Sequence, residues 1–179
     1  VIRAAGIADA FGIAHVHVTS WRETYVGLVP DAFLARLSTH EPAFAWGERV
    51  LASLEAPDDF IRVATDDATG EILGFVSARF TDGAAGREAI ATVDGAVVCR
   101  GEISALYVLA AAHRRGFGRS LFESARAHFE AHARLPFGLW VVAGNPAESF
   151  YRRLGGVAIG EKASQIDGAR VVNRAYAFL

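Results

Sequence analysis

The chain is poor in cysteine, in net charge and in long apolar stretches, and it has no methionine at all. Its one cysteine, Cys99, cannot close an internal disulfide, which excludes a disulfide-stapled scaffold. A nucleophilic Cys99 would need a nearby base to lower its pKa. The local sequence supplies none, so a small buried or strand-edge residue is expected. No apolar run is long enough to span a bilayer and no basic-then-apolar leader opens the chain, so the expected compartment is the cytoplasm. Without an initiator methionine, Val1 need not be the native start. Eighteen basic against 20 acidic side chains give a formal charge of −2, too small a field for wholesale binding of nucleic acid or membrane. The expected partner is therefore small. His128 and His132 are four residues apart, but Glu130 stands one place away from the zincin position and no third ligand is evident, so no metal is expected.

With 52% hydrophobic and 21% charged residues the composition is globular, and 179 residues fit one domain, 1–179, around one core. No internal repeat, low-complexity tract or interdomain linker interrupts it. The first residues can open a strand. Residues 8–25 follow a helical pattern with Phe11, Val18, Trp21 and Tyr25 on overlapping faces, and shorter helices are expected at 32–37 and 42–54. A hairpin then joins 60–65 to 72–80 across the polar turn at 66–70. Residues 81–100 look like an insertion or elaborated edge, with a loop at 83–86 and a hairpin turn at Asp94-Gly95. Two final strands are expected at 157–161 and 171–178, turning at Asp167-Gly168.

The most informative stretch runs from Glu102 to Arg119, where strand, glycine turn and helix succeed one another without a break. Residues 102–109 have strand composition, and residues 120–132 place Leu121, Phe122, Ala125 and Phe129 on one helical face. Between them, Gly116 and Gly118 allow backbone angles that point successive N–H groups into one concavity. The helix start adds unpaired N–H groups and the positive end of its dipole, and Arg114, Arg115 and Arg119 add full charges. Such a turn suits a pyrophosphate. A Walker loop is absent, and a dinucleotide fingerprint fails because Leu121 stands where its third glycine belongs.

The run Arg114-Arg115-Gly116-Phe117-Gly118-Arg119-Ser120 resembles the acetyl-CoA pyrophosphate loop of the GNAT superfamily of N-acetyltransferases, with His113 where the family prefers Gln or Arg. A second segment strengthens the resemblance. Strand-like 138–142 is followed by Asn145-Pro146 and by Phe150-Tyr151-Arg152-Arg153-Leu154-Gly155-Gly156, similar to the family's Asn, helix, Phe-Tyr, Leu-Gly signature. Pro146 suits a first helical turn, and Phe150 with Leu154 makes an apolar i, i+4 pair.

The resemblance implies the GNAT fold: a mixed α/β layout with a predominantly antiparallel sheet, a splayed central parallel pair at 102–109 and 138–142, and helices on both faces. It implies 1–57 as acceptor-side helices and 101–156 as the acetyl-CoA-binding core. The implied reaction is acetyl transfer from acetyl-CoA, the co-substrate, to a primary amine by direct attack. The rival is an acyl-CoA-binding sensor of the same fold without turnover.

The donor would lie on the backbone of Leu106, Tyr107 and Val108, on residues 113–120 (His113, Arg114, Arg115, Gly116, Phe117, Gly118, Arg119, Ser120), and on Asn145 and Tyr151. Val108 N–H would polarise the carbonyl. Asn145 would hold pantetheine, cap the following helix, or do both. Tyr151 would protonate the leaving thiolate; the alternative is an aromatic packed beside Phe150. Glu102 is either the general base or a strand-end carboxylate in solvent. Regular alternation places it on one face with Ser104, Leu106 and Val108, unless a bulge intervenes. Trp21 and Tyr25, with Trp46, would line an amine pocket or belong to the core. The acceptor is expected to be a small-molecule amine or a protein N-terminus, and the resemblance leaves room for a homodimer.

Overall fold

The computed structural model describes residues 1–56, 58–81 and 89–179. In chain order the elements are β1 (Ile2–Ala4), α1 (Ala10–Thr24), α2 (Asp31–Arg36), α3 (His40–Glu55), β2 (Asp59–Thr65), β3 (Ile72–Phe80) and β4 (Gly101–Val108). They continue with α4 (Phe117–Ala131), β5 (Phe137–Val142), α5 (Ala147–Arg153), β6 (Val157–Ile166) and β7 (Ala169–Phe178). The strands form one sheet in the order β1-β2-β3-β4-β5-β7-β6. Every neighbouring pair is antiparallel except β4 with β5. This is the expected mixed layout, with its parallel pair at the centre.

Each face of the sheet buries a different helix layer. On one, Val76, Ala78, Ile103, Leu139 and Val141 pack against Leu121, Phe122, Ala125 and Phe129, the predicted stripe of α4. On the other, Ile61, Val63 and Phe75 meet Ile13, Ala14 and Val16 of α1 and Ala43, Trp46 and Val50 of α3. Each such large side chain contributes about 1.5–3 kcal/mol on burial. Gly101 lets α4 close onto the start of β4: a Cβ there would stand 2.4 Å from Phe129 Cε1. A third cluster, Tyr25, Val29, Leu34, Val142 and Val171, seats the chain after α1 against the second half of the sheet.

Three boundaries differ from the sequence reading. Helix α4 begins at Phe117, because Gly116, at φ 87°, caps it in the left-handed region before the hydrophobic periodicity starts. Strand β6 runs ten residues, but it is an edge strand with mostly exposed side chains, so its second half carried no apolar signal. Around Asp94-Gly95 the turn forms, with Gly95 N–H donating to Thr92 O at 3.0 Å, yet the ladder shrinks to one bridge between Ala91 and Val98. The flanking Ile90 and Cys99 tuck against Ala175 and Ala177. The loop expected at 83–86 lies outside the described residues. Among the described residues, no helix is long and apolar enough to cross a membrane.

Candidate active site

Strands β4 and β5 are paired only at Gly101–Phe137 and Glu102–Gly138, and beyond those pairs they diverge. The gap opens into a cleft of about 680 Å³ bounded by β4, the turn before α4, β5, α5 and the end of α1. Leu109 N–H donates to Leu73 O on β3 at 2.9 Å. Strand alternation therefore turns the N–H groups of Val108 and Leu106 away from β3, into the gap. The carbonyl of Val108 points the same way, since it accepts from His113 Nε2 at 2.9 Å. His113 thus braces the end of β4.

A bulge resets the register lower down. Ser77 pairs with Ala105 but Ala78 pairs with Ile103, leaving Ser104 as the extra residue. Ile103, Leu106 and Val108 face α4, while Ala105, Tyr107 and Leu109 face α1 and α3. The alternation that put Glu102 beside Leu106 and Val108 is broken at Ser104. Glu102 sits opposite Arg79 at the closed end of the gap, 8% exposed, where its Oε2 accepts from Arg79 Nε (2.8 Å) and Nη2 (2.6 Å). It does not line the cleft. Of its two expected roles, the pairing with a guanidinium favours a structural carboxylate, buried rather than in solvent. Cys99 is buried as expected; burial, with Glu102 nearby, pushes its thiol up to about 11.

At the turn, Arg114 (φ 61°) and Gly116 (φ 87°) swing the chain into α4. The helix's first bond is from Ser120 N–H to Gly116 O, so the N–H groups of Phe117, Gly118 and Arg119 have no intrahelical acceptor. Gly118 faces Phe150 and Val108, and Arg114, Arg119 and Arg153 line the same mouth. Two expected contacts are not brought there. Arg115 stacks on Phe117 and reaches toward Asp66 at 3.7 Å, and Ser120 lies outside the lining.

The opposite wall is built by α5. Asn145 Oδ1 accepts from Ala147 N–H at 2.8 Å, the expected cap, and Asn145 lines the cleft together with Tyr25. Tyr151 is 7% exposed beside Phe150 and lines the cleft. Burial, then the nearby Tyr25, raise its pKa, so the phenol keeps its proton at neutral pH. Tyr107 is raised likewise, chiefly by burial; its hydroxyl accepts from Trp21 Nε1 at 2.9 Å and lies 3.4 Å from that of Tyr25. Tyr25 therefore forms the wall, Trp21 supports it from behind, and Trp46 is core.

Sequence reading missed the residues that α1 contributes. Ser20, Glu23 and Thr24 line the cleft, and Glu23 Oε2 accepts from Ala110 N–H at 3.2 Å. Their signal was a polar i, i+3, i+4 set at a helix end that is itself mostly polar, so it did not stand out. His17, one turn earlier, accepts from Trp46 Nε1 at 3.3 Å, and burial, aided by Arg49, pushes it down to about 4.

Comparison with known proteins agrees with this architecture. A family model described as an acetyltransferase (GNAT) domain matches residues 57–155. The uncharacterized N-acetyltransferase YuaI of Bacillus subtilis (strain 168) is 28% identical over 170 residues, covering 95% of this chain and 87% of that protein. The PaiA N-acetyltransferase of Thermoplasma acidophilum, solved in complex with coenzyme A, superposes with a TM-score of 0.69 at 19% identity over 97% of this chain and 96% of that one. The ribosomal-protein-alanine N-acetyltransferase of Brucella melitensis gives 0.71 at 17% identity over 100% and 99%. The seven-stranded sheet with its splayed parallel pair is thus the GNAT fold, and the chain belongs to the GNAT family of N-acetyltransferases.

Proposed function

We propose that this cleft transfers an acetyl group from acetyl-CoA to a small primary amine by direct attack, within one domain whose first helices face the acceptor and whose residues 101–156 hold the donor. The reading is carried by one observation: the partnerless N–H groups of the α4 turn, the gap-facing N–H groups of β4 and the buried phenol of Tyr151 share a single cleft. Unpaired N–H groups inside a protein call for acceptors. Phe117, Gly118 and Arg119 suit a pyrophosphate, with Arg114, Arg119 and Arg153 supplying charge. Leu106 and Val108 suit the amide and thioester carbonyls of a pantetheine arm, and Tyr107 places them by pairing with β3. Asn145 is close enough to its own cap to be held rigid while its amide faces the arm.

Chemistry then divides among these groups. The acceptor's ammonium first gives one proton to water; the amine nitrogen then attacks the thioester carbon, and the C–N bond forms as the C–S bond breaks. Val108 N–H stabilises charge on the carbonyl oxygen. Tyr151 gives its proton to the departing sulfur, and the nitrogen's surplus proton leaves through the open mouth to water, restoring the phenol. With Glu102 held by Arg79, no buried carboxylate among the described residues lines the cleft. Thiol release from acetyl-CoA over a panel of amines tests the assignment. Tyr151→Phe should leave acetyl-CoA affinity within about twofold and lower kcat by roughly a hundredfold. Tight acetyl-CoA binding with no thiol release on any amine would instead favour a sensor.

A further inference from the structure

The last turns of α1 place Ser20, Glu23 and Thr24 on one helix face, with Tyr25 just past the helix end, and all four line the cleft. Each side chain offers oxygen. Glu23 is the sole carboxylate among the described residues that line the cleft. Its Oε2 takes the N–H of Ala110, which holds the side chain over the end of β4 and engages one of its two oxygens. Ser20 is 2% exposed, and its Oγ has no hydrogen-bond partner among the described residues. A buried hydroxyl left unpaired is unfavourable, and Ser20 belongs to the cleft wall. The C-terminal end of α1 adds the partial negative charge of its last carbonyls.

Nothing on α1 neutralises this wall. Arg22, next to Glu23, is turned away to the carbonyls of Leu34 (3.2 Å) and Leu37. The other titratable groups lining the cleft are His113, Arg114 and Arg119 at the α4 turn, Arg153 on α5, and the tyrosines 25, 107 and 151. Burial keeps those three phenols protonated and neutral.

We propose that this turn of α1 is the docking subsite for the acceptor's ammonium group, with Glu23 supplying the charge and the Ser20 and Thr24 hydroxyls the remaining acceptors. An alkylammonium presents three N–H donors and one positive charge, which is the complement of this wall. The class it selects is a small amine without a carboxylate on the nitrogen-bearing carbon. An α-amino acid would bring its carboxylate against Glu23. This rests on the reading of the cleft as the transfer site.

Three acceptors that share a skeleton separate the effects: 2-phenylethylamine, charged at pH 7.5; O-benzylhydroxylamine, nearly isosteric but neutral; and phenylalanine, which adds the carboxylate. Propylamine, O-ethylhydroxylamine and 2-aminobutyrate repeat the comparison at smaller size. At pH 7.5 the charged amine should exceed its amino acid in kcat/KM by about tenfold or more, the scale of one charge contact. Glu23→Gln should raise KM for the charged amine by about tenfold, change kcat little, leave the alkoxyamine unaffected and narrow the gap to the amino acid. Ser20→Ala should raise KM about threefold for the amines without lowering the melting temperature, because the free protein loses no hydrogen bond. Calorimetry should show acetyl-CoA affinity unchanged in both variants. Equal effects of Glu23→Gln on charged and neutral amines, or an amino acid as good as its amine, would overturn the subsite alone. No thiol release with any acceptor would overturn both the subsite and the transfer reading.

Discussion

Glu148 lies in the first turn of α5, three residues before Tyr151, and four groups converge on its carboxylate. Oε1 accepts from Gly144 N–H at 2.8 Å; Oε2 accepts from Tyr176 hydroxyl at 2.7 Å, Arg174 Nη1 at 2.5 Å and Arg152 Nη2 at 3.1 Å. Burial alone would raise its pKa, but the Tyr176 hydroxyl, the Gly144 amide and Arg174 hold it down at about 2, against an ordinary 4.5. A carboxyl depressed in the folded state stabilises above its unfolded pKa, and that stabilisation is lost as pH falls from about 4.5 toward about 2. The shift corresponds to about 3 kcal/mol at most; allowing for solvent screening, since Arg152 is largely exposed, roughly 2 kcal/mol is the expected cost of Glu148→Gln at pH 7.5. In a chain of this size that is a fall in melting temperature of about 4–8 °C. Urea unfolding of both proteins at pH 7.5 and again below pH 4 is the assay: the difference should be full at pH 7.5 and shrink on acidification. A deficit independent of pH, or none at pH 7.5, would refute the argument. Because Glu148 also fixes Gly144 beside Asn145, the variant should hold Asn145 and Tyr151 less firmly and lose kcat as well.

At Gly118 an added Cβ would meet Phe150 Cζ at 3.7 Å and Val108 Cγ2 at 3.9 Å, ordinary contacts. Gly118→Val should therefore keep its fold in a thermal melt while losing acetyl-CoA affinity by at least about tenfold in calorimetry, since a branched side chain would stand over the turn's N–H groups; unchanged affinity would remove the turn from the donor site. Glu102→Gln should act on stability, costing about 2 kcal/mol through the unpaired Arg79, and its pH–rate profile should run parallel to that of the parent. A deficit confined to acid pH and recovered in alkali would restore Glu102 as the base.

The strand, glycine turn and helix at 102–131 and the segment from Asn145 to Gly156 were legible because their chemistry is local: backbone angles at Gly116, a helical stripe, and a cap at Asn145 depend on near neighbours. The sequence left Glu102 between general base and strand-end carboxylate, for a geometric reason. One extra residue at Ser104 inverts which face every earlier side chain of β4 occupies, and a bulge leaves no compositional mark. Glu23 and Ser20 were missed because their significance arises only when α1 is folded against a strand more than 80 residues away. Of the partners of Glu148, Gly144 and Arg152 are near in sequence, but Arg174 and Tyr176 on β7 meet it only in three dimensions. Trp21 and Tyr25 carried the same signal in sequence, and only the folded cleft, which Tyr25 lines and Trp21 does not, separates the wall from its support.

A continuous seven-stranded sheet has two margins. This one has four, because β4 and β5 part company after Glu102 and Gly138, leaving an unpaired margin on each that looks inward across the gap. The sheet is in effect two leaves, β1 to β4 and β5 to β7 with β6, joined by a seam two residues long. Amide protons that sit in the middle of the molecule by position, such as those of Leu106 and Val108, should then exchange with water as margin protons do, without the protection of a ladder. A margin of this kind invites a strand from another molecule when it lies on the outside of a protein. Here the two margins look at each other across a cleft of about 680 Å³, walled by the end of α1, the turn before α4 and α5.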